Sequence, residues 1–81
     1  VLSRALKLAE EKLRAGERNA DAIRRDMAAL IGREPLAVVD YISVSHPETL
    51  RELDLVQGPA LVALAVRIGK TRLIDNLPWE G

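Results

Sequence analysis

Leu2, Leu6, Ala9 and Leu13, with Ala5 between them, recur every three or four positions. That spacing places apolar side chains on one face of an α-helix. It predicts a first amphipathic helix from about Leu2 to Ala15, ended at Gly16, because glycine takes a left-handed conformation without a Cβ penalty. Lys12 and Arg14 in the last turn complement the helix dipole, and Glu10 precedes Arg14 by one turn in the favourable order. After the polar link Gly16-Glu17-Arg18, Asn19 is placed to cap a second helix with Asp21 in its first turn and Ile23, Met27, Leu30 and Ile31 as its apolar stripe. Gly32 and Pro35 are expected to stop it. Arg24, Arg25 and Asp26 fall largely off the stripe and are expected on a solvated face rather than in a binding patch.

The pattern then changes to one suited to strands. Leu36 to Ser45 is rich in β-branched residues and alternates at its end, so Val38, Ile42 and Val44 are expected to share a face with Asp40. A carboxylate on such a face needs a partner. His46 to Leu53 reads as a short helical turn, with Pro47 at its first position and Ser45 or His46 near the cap. Gly58-Pro59 leads into a second strand, Ala60 to Ile68. Val62, Leu64, Val66 and Ile68 line one of its faces, and Leu61, Ala63, Ala65 and Arg67 the other, where the alanines permit close approach of a neighbour. A tight turn at Gly69-Lys70 joins it to a third strand, Thr71 to Asp75. The fold class is α+β: two N-terminal helices packed on a small, mainly antiparallel three-stranded sheet with a short helical turn. Residues 1–81 form a single domain, and one sheet face is left for water or a partner.

Composition narrows the function. A domain of 81 residues buries about 60 to 65% of the surface its unfolded chain exposes, so its stability margin is thin. Twelve basic and twelve acidic residues cancel without forming blocks, which disfavours nucleic acid and anionic membranes as partners. Two aromatic residues, Tyr41 and Trp79, are too few for a base-stacking platform. The chain has no cysteine, which suits a reducing compartment, and the cytoplasm is the default expectation. The longest apolar run, Ala60 to Val66, is too short to cross a bilayer. Starting at Val1 already in helical periodicity, the chain is expected to be a piece of something longer.

Candidate chemistry centres on Arg67-Ile68-Gly69-Lys70-Thr71-Arg72, which contains the Gly-Lys-Thr ending of a phosphate-binding loop. Such a loop needs a glycine five positions earlier and a helix after the Thr. Leu64 occupies the first position and no long helix signal follows Thr71, so a hairpin turn is the expectation. His46 is the single histidine, which excludes histidine-pair metal sites and favours a cap over catalysis. Ser43 and Ser45 lack the turn of a nucleophile elbow. Asp40 and Asp75 could share a site as general acids if they met across the sheet, but an ion pair with Arg67 or Arg72 is the commoner arrangement.

Together the strand Val39-Asp40-Tyr41, the turn Pro47-Glu48-Thr49-Leu50, the run from Ala63 to Asn76 (ALAVRIGKTRLIDN) and the opening Leu2-Ser3-Arg4-Ala5-Leu6 resemble the C-terminal domain of the pantothenate synthetase (pantoate/beta-alanine ligase) family. The resemblance runs from about Leu2 to Asn76. It implies a lid domain of an enzyme that condenses pantoate with beta-alanine through a pantoyl adenylate, using ATP with magnesium. It also implies a partner in an N-terminal Rossmann-like domain of the same polypeptide, where paired histidines and a Lys-Met-Ser-type loop reside. Neither motif is present here, so no catalytic, cofactor-binding or metal-binding residue is carried over. His46 stands where the family often has Asp before Pro-Glu-Thr-Leu, which should loosen the cap of that turn. The competing expectations are a stand-alone module that self-associates, as a homodimer, through the Ala63 and Ala65 face or an open sheet edge, and a stand-alone nucleotide binder.

Overall fold

The computed structural model describes all residues from Val1 to Gly81. Two helices, α1 (Leu2–Arg14) and α2 (Ala20–Ile31), precede three strands, β1 (Ala37–Ser45), β2 (Ala60–Ile68) and β3 (Thr71–Trp79). Each helix end follows from its sequence. Behind α1, Glu17 N–H donates to Lys12 C=O at 2.9 Å and Gly16 N–H to Leu13 C=O at 3.1 Å. This is the Schellman closure, and it requires the positive φ of 100° that Gly16 supplies. At the start of α2 the Asn19 side-chain oxygen accepts from Ala22 N–H at 3.1 Å, as its position predicts. The end of α2 differs from expectation in one respect. Gly32 stays right-handed with φ −62°, and the chain tightens through Arg33 N–H to Leu30 C=O and Glu34 N–H to Ile31 C=O until Pro35.

The strands form one antiparallel meander in the order β1-β2-β3. The helices cover one face of it, α1 over β2 and β3 and α2 over β1. Between the layers Leu13, Ile23, Met27 and Ile31 meet Val44, Val62, Leu64 and Val66, all inaccessible to solvent. Burial of each such side chain contributes about 1.5 to 3 kcal/mol. Gly69 and Lys70 join β2 to β3 as a two-residue turn; the positive φ of 62° falls on Gly69 alone, the arrangement of a type II′ hairpin. The third strand runs past the expected Asp75 as far as Trp79. It includes Pro78, which an edge strand accommodates because no ladder hydrogen bond is needed on its outer side.

Two expectations fail. The pairing of β1 with β2 slips between Val39 and Tyr41, leaving Asp40 as the extra residue of a β-bulge. Ile42 and Val44 therefore oppose Leu64 and Val62 on the helix-covered face, whereas Val38 opposes Arg67 on the open one. Asp40 shares a face with Val38 but not with Ile42 and Val44. Arg24, expected to be solvated, has a side chain only 19% exposed. It extends from α2 to the C=O groups of Val44 and Leu53, each at 2.8 Å, and to the carboxylates of Asp21 and Glu52. Asp26 is likewise engaged, by Lys12 of α1, and only Arg25 keeps the solvated position.

Candidate functional site

The open face of the sheet is built in rows that the register defines. Val38, Arg67 and Arg72 form one row; Tyr41, Ala65 and Ile74 the next; Ser43, Ala63 and Asn76 the third. Ala65 has no exposed surface, while Val38, Tyr41 and Ile74 are exposed. The apolar middle row is thus flanked by charge at the hairpin end and by small polar groups at the other.

The charge at the hairpin end is organised by the bulge. Arg67 Nε–H and Arg72 Nε–H both donate to the same oxygen, Asp40 Oδ2, at 3.2 and 2.8 Å. Arg67 and Arg72 are cross-strand partners, and two like charges so placed repel unless an anion lies between them. The extra residue at Asp40 lets its carboxylate reach that point. The hydrogen bond from Arg72 chiefly holds the Asp40 carboxyl below its ordinary range; desolvation opposes it, and the hydrogen bond from Arg67 adds a smaller lowering. The ion-pair expectation is met, with both arginines engaged. The shared-carboxylate alternative is not: Asp75 opposes Leu64, separated from Asp40 by the width of β2, and its Oδ1 accepts from Asn76 N–H at 2.8 Å.

Gly69-Lys70 lies between β2 and β3, and Thr71 is the first residue of β3, so neither half of a phosphate loop is present. His46 Nδ1 accepts from Glu48 N–H at 3.1 Å and Thr49 N–H at 3.3 Å. It is a cap, and the turn it caps is closed by Leu50 N–H to His46 C=O at 2.9 Å and ends with Leu50 at φ 61°. Ser43 Oγ–H donates to Glu52, and Ser45 is buried with its Oγ 3.5 Å from Leu61 C=O. Neither serine is paired with a histidine or lysine base. No three His, Cys, Asp or Glu side chains gather as a metal-binding group, and no helix is long and apolar enough to cross a membrane.

Sequence reasoning identified Asp40, Arg67 and Arg72 but missed that all three join at one oxygen. The signal for it was weak: a carboxylate inside an otherwise apolar strand, at a place where the alternation of the strand breaks.

The family model for pantoate-beta-alanine ligase matches residues 1–78. The chain is 58% identical over 80 residues to the pantothenate synthetase of Roseiflexus castenholzii, covering 99% of this chain and 29% of that protein. It is 56% identical over 77 residues to that of Pelotomaculum thermopropionicum, covering 94% of this chain and 27% of that one. Among solved structures, a pantothenate synthetase from Thermus thermophilus superposes with a TM-score of 0.83 at 36% identity, over 94% of this chain and 27% of its own. The chain therefore spans less than a third of the length of these relatives. The match over nearly all of its residues, together with the same fold of two helices and three antiparallel strands, establishes that the chain belongs to the pantoate-beta-alanine ligase family.

Proposed function

We propose that these residues form the C-terminal lid domain of an ATP-dependent ligase that joins pantoate to beta-alanine through a pantoyl adenylate, giving pantothenate, AMP and pyrophosphate. The observation that carries this reading is the coverage: nearly the whole chain matches, against 29% of the relative. The site supports it too. His46, Ser43 and Ser45 are tied into a turn and a strand, and in this reading the chemistry belongs to the remaining part of the enzyme, a Rossmann-like catalytic domain of the same polypeptide.

A lid has a physical purpose in such a reaction, because an acyl adenylate exposed to water hydrolyses before the amine attacks. The open sheet face, with an apolar row between polar ones, has the character of a surface that closes on another and excludes solvent. Magnesium, which such a reaction uses with ATP, finds no fitting donor set in these residues, and no step is assigned to it. In this reading the enzyme is cytoplasmic. The family match favours it over a stand-alone self-associating module.

The test is a chimera in which these 81 residues replace the matching segment of the Roseiflexus castenholzii enzyme. Pantothenate formation by the chimera, and no pyrophosphate release by the 81-residue chain given ATP and pantoate, is the expected result. A folded but inactive chimera, or pyrophosphate release by the chain alone, overturns it.

A further inference from the structure

Arg67 and Arg72 are tied to Asp40 by their Nε atoms only. Neither side chain makes another hydrogen bond, so the Nη groups of both are without a protein acceptor. Arg24 is the opposite case, with Nη1 on the Asp21 carboxylate and Nη2 on Glu52 and two C=O groups. Arg67 and Arg72 are also far more exposed, at 62% and 47%. Lys70, in the turn between them, is exposed and forms no ion pair. Two cations thus share a single carboxylate at one end of the open sheet face, beside the apolar row of Tyr41, Ala65 and Ile74, with Lys70 in the adjoining turn.

We propose that Arg67 and Arg72, held together by the Asp40 bridge, form with Lys70 of the adjoining turn a binding site for a di- or triphosphate chain. The Nε bond to one oxygen fixes each guanidinium plane and leaves its Nη groups as free donors. Such a fork suits two oxygens of a tetrahedral oxyanion, and the ammonium of Lys70 adds a point charge without a fixed direction. Two forks held side by side favour an anion with several linked oxyanion groups over a single carboxylate, which one fork satisfies. The apolar row alongside strengthens these contacts by lowering the local dielectric once a partner surface covers it. Asp40 keeps two like charges on neighbouring strands from separating before the ligand arrives. Identifying the ligand as the phosphate chain of ATP or the released pyrophosphate rests on the lid reading; the receptor itself rests on the geometry.

The site is tested on the 81-residue chain by titrating inorganic pyrophosphate, ATP and inorganic phosphate while following the arginine Nε–Hε and backbone amide NMR signals. Saturable shifts at Arg67, Arg72 and the Gly69–Thr71 amides, with Arg24 unmoved, are expected from pyrophosphate and ATP alike. Inorganic phosphate should bind about tenfold more weakly. R67Q and R72Q should each weaken pyrophosphate binding about tenfold, with R67K and R72K recovering part of the loss. R67Q leaves Arg72 on Asp40, so the fold does not depend on the substituted group. Shifts that never saturate, that spread equally to Lys7 and Arg4, that appear with ATP but not pyrophosphate, or that survive R67Q and R72Q overturn the proposal. In the ligase chimera, the R67Q/R72Q double variant should raise KM for ATP about fivefold or more with KM for pantoate unchanged. An unchanged KM for ATP also overturns the phosphate site while leaving the lid reading intact. A positive titration beside an inactive parent chimera removes the lid reading and leaves the phosphate site standing.

Discussion

Arg24 and the pair Arg67 and Arg72 carry the same group to two sides of one sheet and use it in different ways. Arg24 leaves α2, covers the core edge and satisfies two C=O groups that belong to β1 and to the segment after it. Its charge is enclosed and both of its Nη groups are engaged. The other two arginines stand on the open face with one donor each engaged by Asp40. The difference separates a guanidinium that holds layers together from two that are positioned and still available. Net charge does not reveal it, because the count of charges is the same wherever the donors point.

Arg24→Ala should have the largest effect. It strands the C=O of Leu53, whereas that of Val44 keeps its bond from Leu53 N–H at 2.9 Å, and one unsatisfied, partly buried acceptor costs about 1 to 3 kcal/mol, measured as a lower urea midpoint. For a small domain with about 5 kcal/mol in hand, that is a large share. Arg24→Lys keeps the charge but reaches fewer acceptors, and should lose about half as much.

Substitution on the open face should be milder. Arg67→Ala and Arg72→Ala each leave the other arginine on Asp40, and exposed ion pairs contribute little to stability. Arg72→Ala should show the larger of the two small effects, since its bond is shorter and its side chain less exposed. Either shift should be well below that of Arg24→Ala in the same urea assay.

Acid probes the same contrast from the carboxylate side. The Asp26 carboxyl is lowered chiefly by the hydrogen bond from Lys12, and Asp40 chiefly by that from Arg72. A carboxyl that titrates lower in the folded chain stabilises the fold above the unfolded value of about 3.9, and the contribution is lost as pH falls through the folded value. Melting temperature should hold between neutrality and about pH 5 and decline below about pH 4, with a shallower decline in an Asp26→Asn, Asp40→Asn double variant. The smallest effect belongs to the turn at His46. Asp is a better acceptor for the amides of Glu48 and Thr49, so His46→Asp should raise stability by about 0.5 kcal/mol, read as a higher urea midpoint.

Much of the fold was legible because local rules govern it. The Asn19 cap, the Gly16 closure and the Gly69 turn each involve partners close in sequence and are written in residue type and order. The length of β3 beyond the expected Asp75 was not legible, because a stretch containing Pro78 continues a strand only where that strand lies at an edge. The bulge was not legible either. A strand of apolar residues looks the same with or without one unpaired position, and only the facing strand shows which residue is extra.

Residue order alone specified the two amphipathic helices, the three strands, the hairpin turn and the candidate residues Asp40, Arg67 and Arg72. Packing in three dimensions settled which donors those residues would have left. Arg24 finds acceptors 20 and 29 residues away, and Asp40 finds its two arginines 27 and 32 residues away. A guanidinium is saturated or free according to what packing brings to its planar edge, and periodicity along the chain carries no information about distances of that kind.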